Sequence, residues 1–329
     1  MKFLSVFFCL IAPLLYANNE LVLSTKRIVL EEYPDAYNPS IIKVDEGYLM
    51  VFRYNPSPAY LWLSYIGVVL LDEEFNLISR PQLLKIRPQN SKTLSQAEDA
   101  RIFSYKGRMF LIYNDNIDTP SPTDKDKREM FMAELFCNEG FYTISTPRKL
   151  VYEEKRQHKE KNWTPFEYNG NLLITYTVHP HEILAPNLAN GLCYRFDMTE
   201  AEIVWDWGTL RCSTPPVLDE GEYLAFFHSG VYTASPSSWG FNLWHYFMGA
   251  YTFAAKPPFH ITRISPSPII AEGFYTQSSY WKRVVYPGGC VVSGPRIHIA
   301  YGKDDSEIWI ATLDKAALKR TLVLVESNQ

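Results

Sequence analysis

Two adjacent carboxylates, Glu98 and Asp99, and a guanidinium two positions later, Arg101, stand directly before an alternating, aromatic-rich run in SQAEDARIFSYKGRMFLIYND (95–115). Such a trio either caps a solvated strand end or lines a pocket that a sheet holds rigid. In the second case a carboxylate beside basic groups has its proton affinity tuned for acid catalysis. The rest of the chain favours the pocket, because polar groups recur at matching strand ends. Asn38 precedes one strand pair and Arg53 ends it; Lys161 and Asn162 precede another, with His179 and His181 after it. Thr214 and His228 flank a fourth pair, and Tyr301, Asp304 and Asp305 close a fifth.

The elements that must position these groups read almost entirely as strands. PSIIKVDEGYLMVFRY is strand, Asp-Glu-Gly turn, strand, and TPFEYNGNLLITYTV carries an Asn-Gly hairpin signal. Helical periodicity is confined to short pieces near 180–189 and 314–319. The hairpin groups repeat at roughly 50–60 residues, a rhythm that suits radially arranged four-stranded sheets. The expected fold is therefore all-β, a five-bladed β-propeller with a central active-site cavity, with a two-domain β-sandwich as the simpler competitor. Two stretches break the pattern: 116–130, charged and Pro-containing, reads as an exposed loop. The segment 230–244, rich in Gly, Ser and aromatics, reads as a loop that covers a pocket mouth or joins two sheets.

The N-terminus, MKFLSVFFCLIAPLLYANNE, has a basic start, an apolar run and a small residue before polar ones, the layout of a secretory signal cleaved after Ala17. Residues 1–17 are thus expected to be a leader and 18–329 a single catalytic domain, secreted or periplasmic; an uncleaved leader would anchor it. The remaining Cys137, Cys193, Cys212 and Cys290 allow two disulfides or four buried thiols. No spacing argues for zinc, and neither a metal nor a cofactor is expected. With 32 basic and 36 acidic residues there is no electrostatic footprint for nucleic acid. Asn162-Trp163-Thr164 is a glycosylation sequon, in tension with a cavity position for Asn162.

Taken together, YNPSIIKVDEGYLMVFRY, EDARIF, KNWTPF, STPPVLDEGEYLAFFHS, YFMGAYTFAAKPPFHITRISPSPII and VVYPGGCVVSGPRIHIAYGKDDSEIWIAT resemble, in order, the motifs of glycoside hydrolase family 130. That family comprises mannoside phosphorylases and hydrolases, and β-1,2-mannosyltransferases are related to it. The resemblance covers about residues 37–313. It implies Asp99 as proton donor, Asn38, Arg53, Glu98, Asn162, Tyr301, Asp304 and Asp305 as substrate-binding groups, and Arg101, Lys161 and His228 on the phosphate or donor side. Ala100 replaces the usual proline of the acidic motif, and TYTVHPH lacks an arginine that phosphorylases tend to place there.

The resemblance implies cleavage of β-mannosidic linkages in a β-mannoside or manno-oligosaccharide, by water or by inorganic phosphate. Hydrolysis with inversion needs a second carboxylate roughly 6.5–9.5 Å from the acid, for which Glu98, Glu167 and Glu182 are candidates. The alternatives are a β-mannosyltransferase using a nucleotide-sugar donor and a non-catalytic carbohydrate-binding propeller.

Overall fold

The computed structural model describes residues 21–57, 63–87, 94–116, 127–155, 157–278 and 280–326. The expected leader and most of the charged loop at 116–130 lie outside them. The chain is all-β, as its hairpin signals predict. Tyr37–Val44, Gly47–Tyr54, Tyr65–Leu71 and Gln82–Leu83 form a four-stranded antiparallel sheet. Glu98–Tyr105 and Arg108–Asp115 lead a five-stranded sheet, and Thr164–Tyr168 with Asn171–Thr177 a second four-stranded one.

The propeller expectation is corrected by the strand pairing in the C-terminal half. Five separate blades are not formed, and no sheet closes on itself: the described strands make four sheets, the last of ten strands. The cause is local. Trp244–Tyr246 of the long strand Asn242–Ala254 pairs in parallel with Lys282–Val284 of Lys282–Ser293, so two hairpin groups fuse into one sheet. The first strand, Val22–Ile28, runs antiparallel to Glu307–Asp314 in that same sheet.

The inner strands are apolar on both faces because each separates two layers. Leu49 and Val51 pack with Leu111 and Tyr113, while Tyr48, Met50 and Phe52 on the opposite face pack with Ala300, Ile308 and Ile310. Phe110 and Ile112 face Leu172 and Ile174 in the same manner. Alternation of period two thus sends successive side chains of one strand into different cores. Burying a side chain of this kind contributes about 1.5–3 kcal/mol.

Two smaller expectations divide. A helix does form at Lys315–Thr321, with Asp314 accepting the Ala317 N–H at 2.7 Å as its cap. The other helical candidate is instead strand His181–Pro186, whose Ile183 and Leu184 are wanted in two cores at once. Residues 230–244 are not a simple loop either. Glu222–Ala234 and Asn242–Ala254 are thirteen-residue strands that continue to a tight turn at Pro236–Ser238. The four cysteines among the described residues are free thiols: Cys193, Cys212 and Cys290 sit in three different cores, and Cys137 is exposed.

Candidate functional site

A cavity of about 170 Å³ opens where strand ends from all four sheets converge. Asn38, Arg53, Asp99, Lys161, Asn162, His228 and Asp305 line it, as the strand-end pattern anticipates. Four of these have left-handed backbones: Asn38 (φ 46°), Asp99 (53°), Asn162 (65°) and Asp305 (50°). Asn and Asp tolerate this region better than other residues, and such strain concentrates at functional sites. Asn38 and Asp99 each lie where the ladder register shifts, between Tyr37 and Ser40 and between Glu98 and Arg101. These bulges re-aim side chains that regular alternation would send elsewhere.

Asp99 is held from two sides: Asn38 Nδ2 donates to its Oδ1 at 2.8 Å, and Arg53 Nη1 at 3.3 Å. Arg53 also donates through Nε to Ser64 and Asn55, and through Nη2 to Glu98 at 2.9 Å, so every face of its guanidinium is engaged. Burial alone would lower its proton affinity, but Glu98 and the neighbouring acids raise it further. Close packing behind Asn38 is possible only because residue 302 is glycine. A Cβ there would lie 2.2 Å from Asn38 Oδ1 and 2.7 Å from its backbone N. Gly302→Ala is therefore expected to cost about 1–3 kcal/mol of stability by overpacking and to dislodge the Asn38–Asp99 bond. Denaturant unfolding checks the first effect and kcat the second; parent-like values in both would refute the assignment.

Glu98 is not on the cavity wall. It is buried behind it, accepting from Arg53, from Arg128 at 2.6 Å and from Lys161 at 2.8 Å. Arg101 is also buried behind the wall and not among the lining groups. Its donors go to Ser213 O, Asp99 O, Asn162 Oδ1 and Tyr286 Oη, so it ties the backbone of Asp99 to three other segments. Tyr301 lies away from the site, packed against Phe274 in a core. Asp304 points inward to accept the Val284 N–H at 2.9 Å, leaving Asp305 as the acid at the cavity. Asp305 accepts from Tyr280 Oη at 3.1 Å and pairs with Lys282 at 3.4 Å.

The other candidate bases do not reach the wall. Glu167 contacts the Lys106 N–H and lines a separate, largely apolar pocket, and Glu182 is buried against Tyr152 and Arg195. His181 is also outside, its Nδ1 2.5 Å from Phe259 O. Among the described residues no cluster of three or more His, Cys, Asp or Glu is placed to hold a metal.

Sequence reasoning misses Arg211, Tyr246, Lys282, Val284 and Tyr286, which complete the cavity. Arg211 carried one usable signal, a lone charge between Leu210 and Cys212. It stands on Arg211–Cys212, paired in register with His228. His228 is buried, and that burial, then Arg211, Arg101 and Lys161, pushes its ring well below the ordinary histidine value. It is therefore neutral at pH 7, with Nδ1 2.5 Å from Ser213 Oγ. Asn162 Oδ1 accepts from Arg101, and Trp163 and Thr164 are fully buried, so the sequon is built into the wall.

A family model described as beta-1,4-mannooligosaccharide phosphorylase matches residues 18–320. Solved structures share the fold at low identity. A β-1,2-mannobiose phosphorylase from Listeria innocua, in complex with β-1,2-mannobiose, is 15% identical, with 90% of this chain and 92% of that one covered and a TM-score of 0.59. A mannose phosphorylase from Leishmania mexicana, in complex with phosphate ion, is 11% identical over 98% and 97% of the two chains, TM-score 0.60. A structure from work on glycoside hydrolases of the family that target β-1,2-mannosidic linkages in Candida mannan is 14% identical, covering 86% and 85%, TM-score 0.61. No curated protein matches. With the family model spanning nearly the whole chain over this cavity of acids and cations, the chain belongs to glycoside hydrolase family 130 and is a carbohydrate-active enzyme of mannosidic linkages.

Proposed function

We propose that the enzyme cleaves β-mannosidic linkages with inorganic phosphate as the attacking group. The observation that carries this reading is Arg211. Its side chain lines the cavity beside Lys161 and His228, and none of the hydrogen bonds or ion pairs among the described residues engages its guanidinium. A cation left without a carboxylate partner in a polar cavity suits an anionic reactant. It also lines one pocket with Thr177 of TYTVHPH, the run in which the arginine is lacking. In the proposed reaction a phosphate oxygen, held by Lys161, Arg211 and His228, attacks the anomeric carbon. The glycosidic C–O bond breaks, and Asp99 delivers its proton to the departing oxygen, directly or through a substrate hydroxyl. The products are mannose 1-phosphate and the shortened mannoside.

Hydrolysis is the second reading, favoured by Asp305. It is the other carboxylate among the described residues of the cavity wall, and in this reading it, not Glu98, Glu167 or Glu182, activates water. Mass spectrometry of products from β-1,2-mannobiose and longer manno-oligosaccharides, with and without phosphate, separates the two. Mannose 1-phosphate is expected, only when phosphate is present. Arg211→Ala is expected to raise the KM for phosphate about ten- to a hundredfold, the worth of a charge-assisted hydrogen bond of ~1.5–3 kcal/mol. Free mannose without phosphate would replace this reading with hydrolysis, and chain extension confined to GDP-mannose would replace it with transfer.

A further inference from the structure

One face of the hairpin Glu222–Ala234/Asn242–Ala254 runs from the cavity out into solvent. His228 and Tyr246, both cavity residues, lie on it with ring centroids 6.2 Å apart. Beyond them the register places Gly230 opposite Tyr246 and Tyr232 opposite Trp244. Side chains of directly paired residues, and of residues two apart, share a face. The rings are continuous: Tyr246 to Trp244 is 6.1 Å and Trp244 to Tyr232 is 5.8 Å. Exposure climbs along the line, to 38% at Trp244 and 59% at Tyr232. A Cβ at Gly230 would approach Tyr246 Cε1 to 3.2 Å, so the glycine leaves room for that ring beside the track.

We infer that this track is an extended binding surface for the distal sugar units of a manno-oligosaccharide. The inference rests on the proposed function for which linkage is cut, and adds where the rest of the sugar chain lies. Rings with an apolar face and a polar edge suit pyranose faces, which are apolar between their hydroxyls. The starting point of the line sets these rings apart: it begins inside the cavity, at His228 and Tyr246. A β-linked chain longer than the cavity can hold would leave it along this arm, its successive rings resting on Tyr246, Trp244 and Tyr232.

The test compares chain lengths. For Trp244→Ala and the double variant Trp244→Ala/Tyr232→Ala, kcat/KM is measured on a mannobiose and on a mannotetraose, each with phosphate and with water alone. The ratio of tetraose to biose efficiency is expected to fall about tenfold in the single variant and further in the double one, mainly through KM. An unchanged ratio, or equal losses on both substrates, overturns the track. If the parent turns over neither sugar, the proposed function falls, and calorimetric binding of the two sugars then decides the track on its own. Tighter binding of the tetraose that disappears in Trp244→Ala supports it, and binding without length dependence overturns it. Sedimentation velocity runs alongside: a parent dimer that dissociates on Trp244→Ala would reassign the arm to self-association and overturn the sugar track.

Discussion

Asp99→Asn is expected to lower kcat on manno-oligosaccharides by about 10²–10⁴-fold, the usual contribution of a positioned general acid, while leaving the fold intact. The substitution suits the test because the site asks little of residue 99 besides its proton. Asparagine tolerates the left-handed backbone found there, φ 53°. It retains an oxygen to accept from Asn38 and Arg53, whose bonds to Oδ1 are 2.8 and 3.3 Å. Arg53 keeps its second acidic partner, since Glu98 accepts at 2.9 Å. Sugar affinity measured by calorimetry should therefore change little beside the loss in kcat. The sharper readout is the leaving group. An aryl mannoside, whose phenolate departs without a proton, should recover much of the loss in Asp99→Asn. Activity above about a tenth of the parent's on unactivated sugars, or no recovery with the aryl substrate, would remove Asp99 from the acid role.

The largest effect on stability is expected at Glu98. Its carboxylate is buried with Arg53, Arg128 and Lys161 converging on two oxygens at 2.9, 2.6 and 2.8 Å. Burial opposes ionisation, yet Arg53, then Lys161 and Arg128, outweigh it and hold the group well below the usual carboxylate range. Removing this charge leaves two almost fully buried guanidinium groups without their common counter-ion. Glu98→Gln is expected to cost about 3–5 kcal/mol, the scale for breaking a buried ion pair from one side. The sign of the pH effect comes from the lowered proton affinity. The folded state binds fewer protons than the unfolded one in acid, so the stabilisation is complete above the unfolded value of about 4.3. It is lost as the pH falls toward the lower folded value. Urea unfolding of the parent from about pH 7 to about pH 3 should show that decline, and Glu98→Gln should show a shallower one from a lower start. A variant within about 1 kcal/mol of the parent at neutral pH would mean that the cations find other partners. Because Lys161 is also a cavity residue, the same substitution should weaken phosphate use.

Read alone, the chain announces its strands, most of the groups that meet at the cavity, and its family. Those properties are local: alternation writes each strand, Gly and Asn-Gly write the turns, and a polar residue at a strand end is conspicuous against apolar runs. Asn38, Arg53, Asp99, Lys161, Asn162, His228 and Asp305 are visible for that reason. The direction each group faces is settled by long-range packing instead. Glu98 and Asp99 are neighbours in the chain, yet a bulge sends Asp99 into the cavity and Glu98 into a nest of cations behind it. Asp304 and Asp305 divide likewise, one bonded to a backbone N–H and one on the wall. The count and closure of the sheets are equally hidden. Three parallel pairs at Trp244–Tyr246 join two hairpin units that repeat separately in the sequence. Arg211 and Tyr246 reach the cavity through pairing with a strand whose register no nearby residue announces. Local propensity acts over a few residues, whereas register and the side a bulged residue faces are set by which long-range pairing buries the most apolar surface without stranding a charge.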